Sequence, residues 1–216
     1  YSWHCVDHIG FKTNPRKKIY GYGKIFRFYK KLLKNNSCKN DEINWHFHPK
    51  SIKSNPTANA TSYYNSIKEI NSIISRRIIE DNWFPVVNRP GFHSIRPDSH
   101  LFLEQWIPYD YANQYYETKN DQKDLDHGRF GDWTRAPKSW IGYHPSIHDY
   151  QVKGNCRRKI FRCLNVGTRH KILKKRHINQ AFSDAKIYKK AILCIVNHDY
   201  RDMTSDVLNT MKLIKE

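Results

Sequence analysis

Nowhere in its 216 residues does this chain hold an apolar run near the ~18 that a membrane-spanning helix needs. The longest clean run is Ala191–Val196, so no transmembrane segment is expected. Cysteine is sparse. Cys5, Cys38, Cys156, Cys163 and Cys194 are odd in number, widely spaced and without a C-x2-C pair. That argues against a zinc finger or a disulfide framework, and for reduced thiols in a cytoplasmic setting. Cys194 lies in the most apolar run and reads as core. No collagen, coiled-coil or solenoid period is visible. Acidic residues are few: 20 Asp plus Glu face 38 Lys plus Arg, leaving a net charge of +18.

What is present fits a globular protein. Apolar residues make up 38%, a little low, but aromatics reach 14%, which excludes a chain disordered by composition. The length suits a single domain spanning 1–216, with ample chain for a core. Its first residue is Tyr and it ends inside a helical pattern, so it reads as a fragment of a longer protein.

The charge is concentrated. Lys12–Lys34 and Arg157–Arg176 each hold nine Lys or Arg and no acid. Such blocks suit an anionic partner, whether nucleic acid, a membrane surface or an acidic glycan, and equally suit two solvated faces. Aromatics lie among the first block's cations, as in single-strand binders. At helical spacing, Ile25, Phe28, Tyr29, Leu32 and Leu33 instead predict a core-facing stripe.

Strand and helix patterns alternate. Strands are expected at Tyr1–Val6, Glu42–Phe47, Phe84–Val87, Trp106–Tyr109 and, buried, at Ala191–Asn197. Helices are expected at Lys24–Lys34, at Thr61–Glu80 with Thr61 as cap and Tyr63, Ile67, Ile70, Ile74 and Ile78 on one face, at a short stretch through Glu104 capped by Asp98 or Ser99, at His170–Ala185, and after a Thr204 or Ser205 cap with Val207, Met211 and Ile214 on one face. Residues 113–160 are irregular and read as a long insertion or site loops. The alternation predicts an α/β fold with a mainly parallel sheet, open or closed into a barrel.

Chemistry in such folds collects at the carboxyl ends of strands. There the sequence sets Asp7 and His8, then His46 and His48, then Arg89 to His93, then Asp110, then His198 and Asp199. His46 and His48 are two apart on a strand, so both rings can reach one cation. Arg89 offers a planar fork for a carboxylate or an anionic substrate. His198 is placed to act as general acid, with Asp110 as its carboxylate partner.

This constellation resembles the polysaccharide deacetylase (NodB-homology) family. The family's second motif is matched by Glu42-Ile43-Asn44-Trp45-His46-Phe47-His48-Pro49, with one residue between the histidines where the family has three. The third is matched by Arg89-Pro90, the fourth by Asp110 and the fifth by Ile195-Val196-Asn197-His198. The first motif, an Asp-Asp pair, has no counterpart in the chain; it is expected upstream of Tyr1, with Asp7 as the alternative metal-binding acid. The resemblance implies a distorted (β/α) barrel and a hydrolase that removes an acyl group, acetyl above all, from an N-acylated sugar. It implies a divalent metal, zinc by ligand type, on His46, His48 and an acid. Arg89 would orient the base and His198 would protonate the leaving amine. Trp133, Trp140, Tyr143 and His144, in the long loops, would line the sugar site. Three rivals stand beside this reading. They are another metal-dependent hydrolase such as an amidohydrolase, for which Asp199 would serve, a non-catalytic carbohydrate-binding relative, and a basic nucleic-acid binder that would be indifferent to His46.

Overall fold

The structure is a computed structural model that describes residues 2–8, 22–48, 67–115, 131, 133–166, 173–198 and 202–216. The Lys12–Tyr20 half of the first basic block, the Thr61 cap, Tyr63, Asp132 and Asp199 lie outside the described residues. The chain forms two compact units, Tyr1–Asp110 with Asp124–Asp132, and Tyr111–Lys123 with Trp133–Glu216. Each is α/β, and the pairings given below between numbered strands are all parallel.

The first unit runs β1 (Ser2–His8), α1 (Tyr22–Asn35), β2 (Glu42–His48), α2 (Ile67–Asp81), β3 (Val87–Asn88), a 3-10 turn (Gly91–His93), α3 (Pro97–Trp106) and the start of β4 (Tyr109–Asn113). The strands pair in the order β1-β2-β3-β4, with Cys5 opposite Trp45, Trp45 opposite Asn88 and Asn88 opposite Asp110. Alternation divides β2. Trp45 and Phe47 enter a core with Ile70 and Ile74 of α2 and Phe102, Leu103 and Ile107 from α3 and its end. Asn44, His46 and His48 are therefore turned to the other side of the strand.

Both early helices keep part of the expected stripe covered, Ile25, Tyr29 and Leu33 on α1 and Ile67, Ile70 and Ile74 on α2, and expose the rest. On α1, Phe26 is buried, with Tyr29 and Leu33 half-buried on its side, while Phe28 and Leu32 are exposed. Phe26 is selected because the Trp83 ring meets it edge-on at 4.8 Å and the Arg77 guanidinium covers it at 4.9 Å. On α2, Ile70 and Ile74 are buried as expected, but Ile78 is exposed. Its place on the buried face passes to Arg77 and Asp81, which pair at 3.2 Å. Asp81 also accepts from Arg27 Nε at 2.9 Å, and its carbonyl accepts from Lys30 Nζ at 2.7 Å, tying α1 to α2.

Prolines reset the next boundaries. The strand expected at Phe84–Val87 is only Val87–Asn88, because Pro85 has no N–H to give a ladder and Phe84 and Val86 are exposed. Helix α3 starts at Pro97, whose missing N–H costs nothing at a first helical position. Ser99 works from inside the first turn, its hydroxyl accepting from the Arg96 N–H at 3.0 Å, so neither Asp98 nor Ser99 is the cap residue. The helix continues to Trp106, and the strand expected at Trp106–Tyr109 begins only at Tyr109, after Pro108.

The second unit holds the rest of β4, then β5 (Lys159–Asn165), α4 (Lys175–Tyr188), β6 (Cys194–Val196) and α5 (Thr204–Lys215). Strand β5, which is not among the strands expected from the sequence, is buried at every residue from Ile160 to Asn165, the pattern of a parallel strand covered on both faces. Two members of the second basic block, Arg158 and Arg162, are buried in this unit and are not solvated. Arg162 donates to the Lys138 carbonyl at 2.6 Å and lies 4.6 Å over the Trp140 ring. Between 133 and 158 the chain is irregular, as its composition suggests, with antiparallel bridges Tyr143–Ile160 and Pro145–Lys153. The apolar run of β6 does not make a buried strand. It pairs three residues with β5, Ile195 is 37% exposed and Cys194 is half-buried. Length and apolarity alone misplace it, since among the described residues only β5 flanks it. Helix α5 exposes Leu208, Met211 and Ile214 and buries Asp206 and Thr210.

Candidate functional site

Strands β2 and β3 bring their ends together in the first unit, and polar side chains gather there. The His46 ring donates from Nδ1 to the Arg89 carbonyl at 2.5 Å. That bond fixes its tautomer and leaves Nε2 with a lone pair. The His48 ring approaches edge-on, with ring centres 4.7 Å apart and its Nε2 2.9 Å from His46 Nε2. The sequence expectation that residues i and i+2 place both imidazoles at one point is met. A backbone carbonyl holding the far nitrogen is also the usual support of a metal-ligating histidine.

Arg89 is buried and at the centre of this group. Its N–H donates to the Trp45 carbonyl at 2.9 Å, extending the β2–β3 pairing by one residue. Its Nη2 donates to His93 Nε2 at 2.6 Å, which makes that nitrogen an acceptor and leaves His93 neutral. His93 is completely buried and has a left-handed backbone, φ 51°. Between them, Gly91 lies against the His48 ring so closely that a Cβ would overlap it, at 2.6 Å from Cδ2.

His4 on β1 joins from the other side of β2. It donates from Nδ1 to the same Trp45 carbonyl at 3.1 Å, and its Nε2 faces Ser2 Oγ at 3.0 Å. Burial, reinforced by the Arg89 charge, lowers its pKa from 6.5 to about 4, against the opposing pull of the Trp45 carbonyl. Asp110 is fully buried at the start of β4, its Oδ2 accepting from Asn88 Nδ2 at 3.0 Å. Asp7 stands opposite Phe47 in the β1–β2 register, whereas His46 and His48 stand opposite Val6 and His8. The Asp7 side chain lies outside the described residues. Among the described residues no cluster of three His, Cys, Asp or Glu side chains forms around the histidine pair.

The other expected site residues belong to the second unit. His198 follows β6, half-buried, and its N–H donates to Asn197 Oδ1 at 2.8 Å. Asn197 in turn donates to Asp206 on α5 at 3.3 Å. Trp133 and Trp140 are fully buried and Tyr143 is 5% exposed. Trp133 meets Tyr150 edge-on at 4.9 Å, and the Tyr143 hydroxyl donates to the Tyr150 carbonyl at 2.6 Å. These three aromatics fill the interior of their unit, and their faces are not open for stacking on a sugar. His144 is exposed, with Nδ1 held by the Cys156 carbonyl at 3.0 Å.

Sequence reasoning assigned no role to His4, Asn88, Gly91 or His93. A signal existed for His93, four residues after Arg89 and next to a Pro-Gly turn. His4 could be reached only through the register that sets it opposite Asn44. Compared with protein-family models, curated proteins and solved structures, the chain gives no match.

Proposed function

We propose that the chain is a metal-dependent hydrolase of the polysaccharide deacetylase type, which removes an acyl group, acetyl first, from an N-acylated sugar. The observation that carries the reading is the His46–His48 pair, with facing Nε2 atoms 2.9 Å apart and the His46 ring anchored on the Arg89 carbonyl. Two imidazoles so held are a borderline-soft ligand set that suits zinc. An acidic residue would complete it; the register sets Asp7 beside Phe47 and not beside the histidines, so Asp7 is poorly placed to be that acid. A bound divalent ion would supply Lewis acidity toward the acyl oxygen.

The chain's own residues have these roles in the proposal. His46 and His48 present neutral rings. Arg89, buried and bonded to His93, would orient the catalytic carboxylate, a residue the described part of the chain does not identify. The roles of carboxylate partner for Asp110, in the first unit, and of general acid for His198, in the second, are those the family resemblance implies. Of the four residues the resemblance assigns to the sugar site, His144, in the second unit, is the exposed one. The excess of cations favours an acidic glycan over a neutral one.

Metal analysis of the full chain, with acetate release from N-acetylated oligosaccharides, tests this. His46→Ala and His48→Ala should each lose metal and at least about 100-fold of the activity while far-UV circular dichroism is unchanged. A double variant with full activity would overturn the reading. Metal and sugar binding without acetate release would replace it by the non-catalytic carbohydrate-binding one.

A further inference from the structure

The 3-10 turn after β3 is built around two side-chain positions that its own backbone does not need. Gly91 has an ordinary backbone conformation there, so nothing in its dihedrals calls for glycine. What calls for it is the His48 imidazole, whose Cγ, Nδ1 and Cδ2 occupy the space a Cβ would fill. His93 is the reverse case. Its backbone is left-handed at φ 51°, a conformation that glycine adopts without cost and histidine does not. It nevertheless carries a large ring, completely buried, that accepts from Arg89 Nη2 at 2.6 Å. A glycine whose backbone any residue could adopt, and a histidine where glycine would be easier, sit two apart in one turn. Each is explained by the side chain it touches.

We infer that the Gly91–His93 turn is a positioning element, in which Gly91 sets the location of the His48 ring and His93 fixes the direction of the Arg89 guanidinium. Neither is a catalytic residue; both act through a neighbour. The functional weight of the inference rests on reading His46 and His48 as ligands, but the geometry is separate from it. The turn is short, and its carbonyl at Pro90 accepts from the His93 N–H at 3.0 Å while the Gly91 carbonyl accepts from Ser94 at 3.1 Å. The ring at 93 and the gap at 91 are thus held in one rigid frame. Moving either end of the turn would move His48 and Arg89 together.

The test uses the full chain with zinc as the probe, imidazole nitrogen NMR as the positional readout and urea denaturation as the control. Gly91→Ala should shift the His48 ring resonances, weaken zinc binding about 10-fold or more, and leave His93 unmoved. In a His48→Ala background the same substitution should cost no stability, because the clash is gone. A Gly91→Ala stability loss of equal size in both backgrounds would show a purely structural glycine and overturn the inference. His93→Gly relieves the left-handed backbone but empties a buried position, so urea denaturation is run beside it, and in the folded variant the Arg89 guanidinium protons should lose their protection from exchange. His93→Asn, which tolerates the backbone and restores an acceptor, should recover part of that protection. Unchanged Arg89 exchange in His93→Gly would overturn the role of His93. If the unaltered chain takes up no zinc, the hydrolase reading fails, and the resonance shifts and the double-variant comparison still decide the positioning.

Discussion

His4 shows how a single residue near the site ties folding to pH. Its folded pKa is about 4, against 6.5 for an ordinary histidine. Between those values the unfolded chain binds a proton that the folded chain does not, so stability rises with pH across that window. The contribution is complete above about pH 6.5 and is lost as pH falls through about 4, at a cost on the order of 3 kcal/mol. Urea midpoints at pH 7.5 and 4.5 should therefore separate more for the unaltered chain than for His4→Gln. Equal separation would remove His4 from the account. At this scale the sequence is legible where chemistry sits on local spacing: His46, His48 and Arg89 are found from strand parity and a strand end. It is silent on His4, and it places His93 at a strand end without giving it a role. One depends on which strand lies next door, and the other on a backbone torsion that no residue type announces.

Elements carry the next lesson. Helices α1 and α2 are joined through Asp81, which accepts from both Arg77 and Arg27. Asp81 and Arg77 are buried, while the Arg27 side chain is 53% exposed. Removing the carboxylate leaves the Arg77 charge uncompensated, and Asp81→Ala should cost about 3–5 kcal/mol in denaturant unfolding. Arg27→Ala should cost no more than about 1 kcal/mol, since its pair is screened by water. Similar losses for the two would refute this ranking. The buried pair also explains why apolar spacing misjudged both helices: Ile78 and Phe28 match the repeat, but an ion pair and a cation over Phe26 hold the covered side. The existence and order of the helices were readable from periodicity. Their rotation was readable only in part, because charged groups share the covered side. Strand limits failed for a simpler reason, as Pro85 and Pro108 remove donors that a propensity count does not weigh.

Over the whole molecule the excess of cations is the plainest sequence feature, and the structure changes its meaning. Arg158 and Arg162 serve the interior of the second unit, so the second basic block is not simply a charged surface. Retention of the chain on an anionic polymer should fall steeply with salt and vanish near 1 M, where the screening length is about 3 Å. His46→Ala should not change that retention, which separates surface charge from the histidine pair. A salt-insensitive retention, or one abolished by His46→Ala, would contradict this. The alternation of strands and helices was legible along the chain. The division into two units near residue 110 was not, because compactness follows from packing and leaves no mark in composition. One peptide group has a wider consequence. Trp45 places its ring among the hydrophobic side chains, while its carbonyl receives both the Arg89 amide and the His4 ring. Scaffold and chemistry share a single hinge pin there. Any change that loosens the interior at that tryptophan will be felt by the histidines, so heat tolerance and reactivity in this protein cannot be adjusted one at a time.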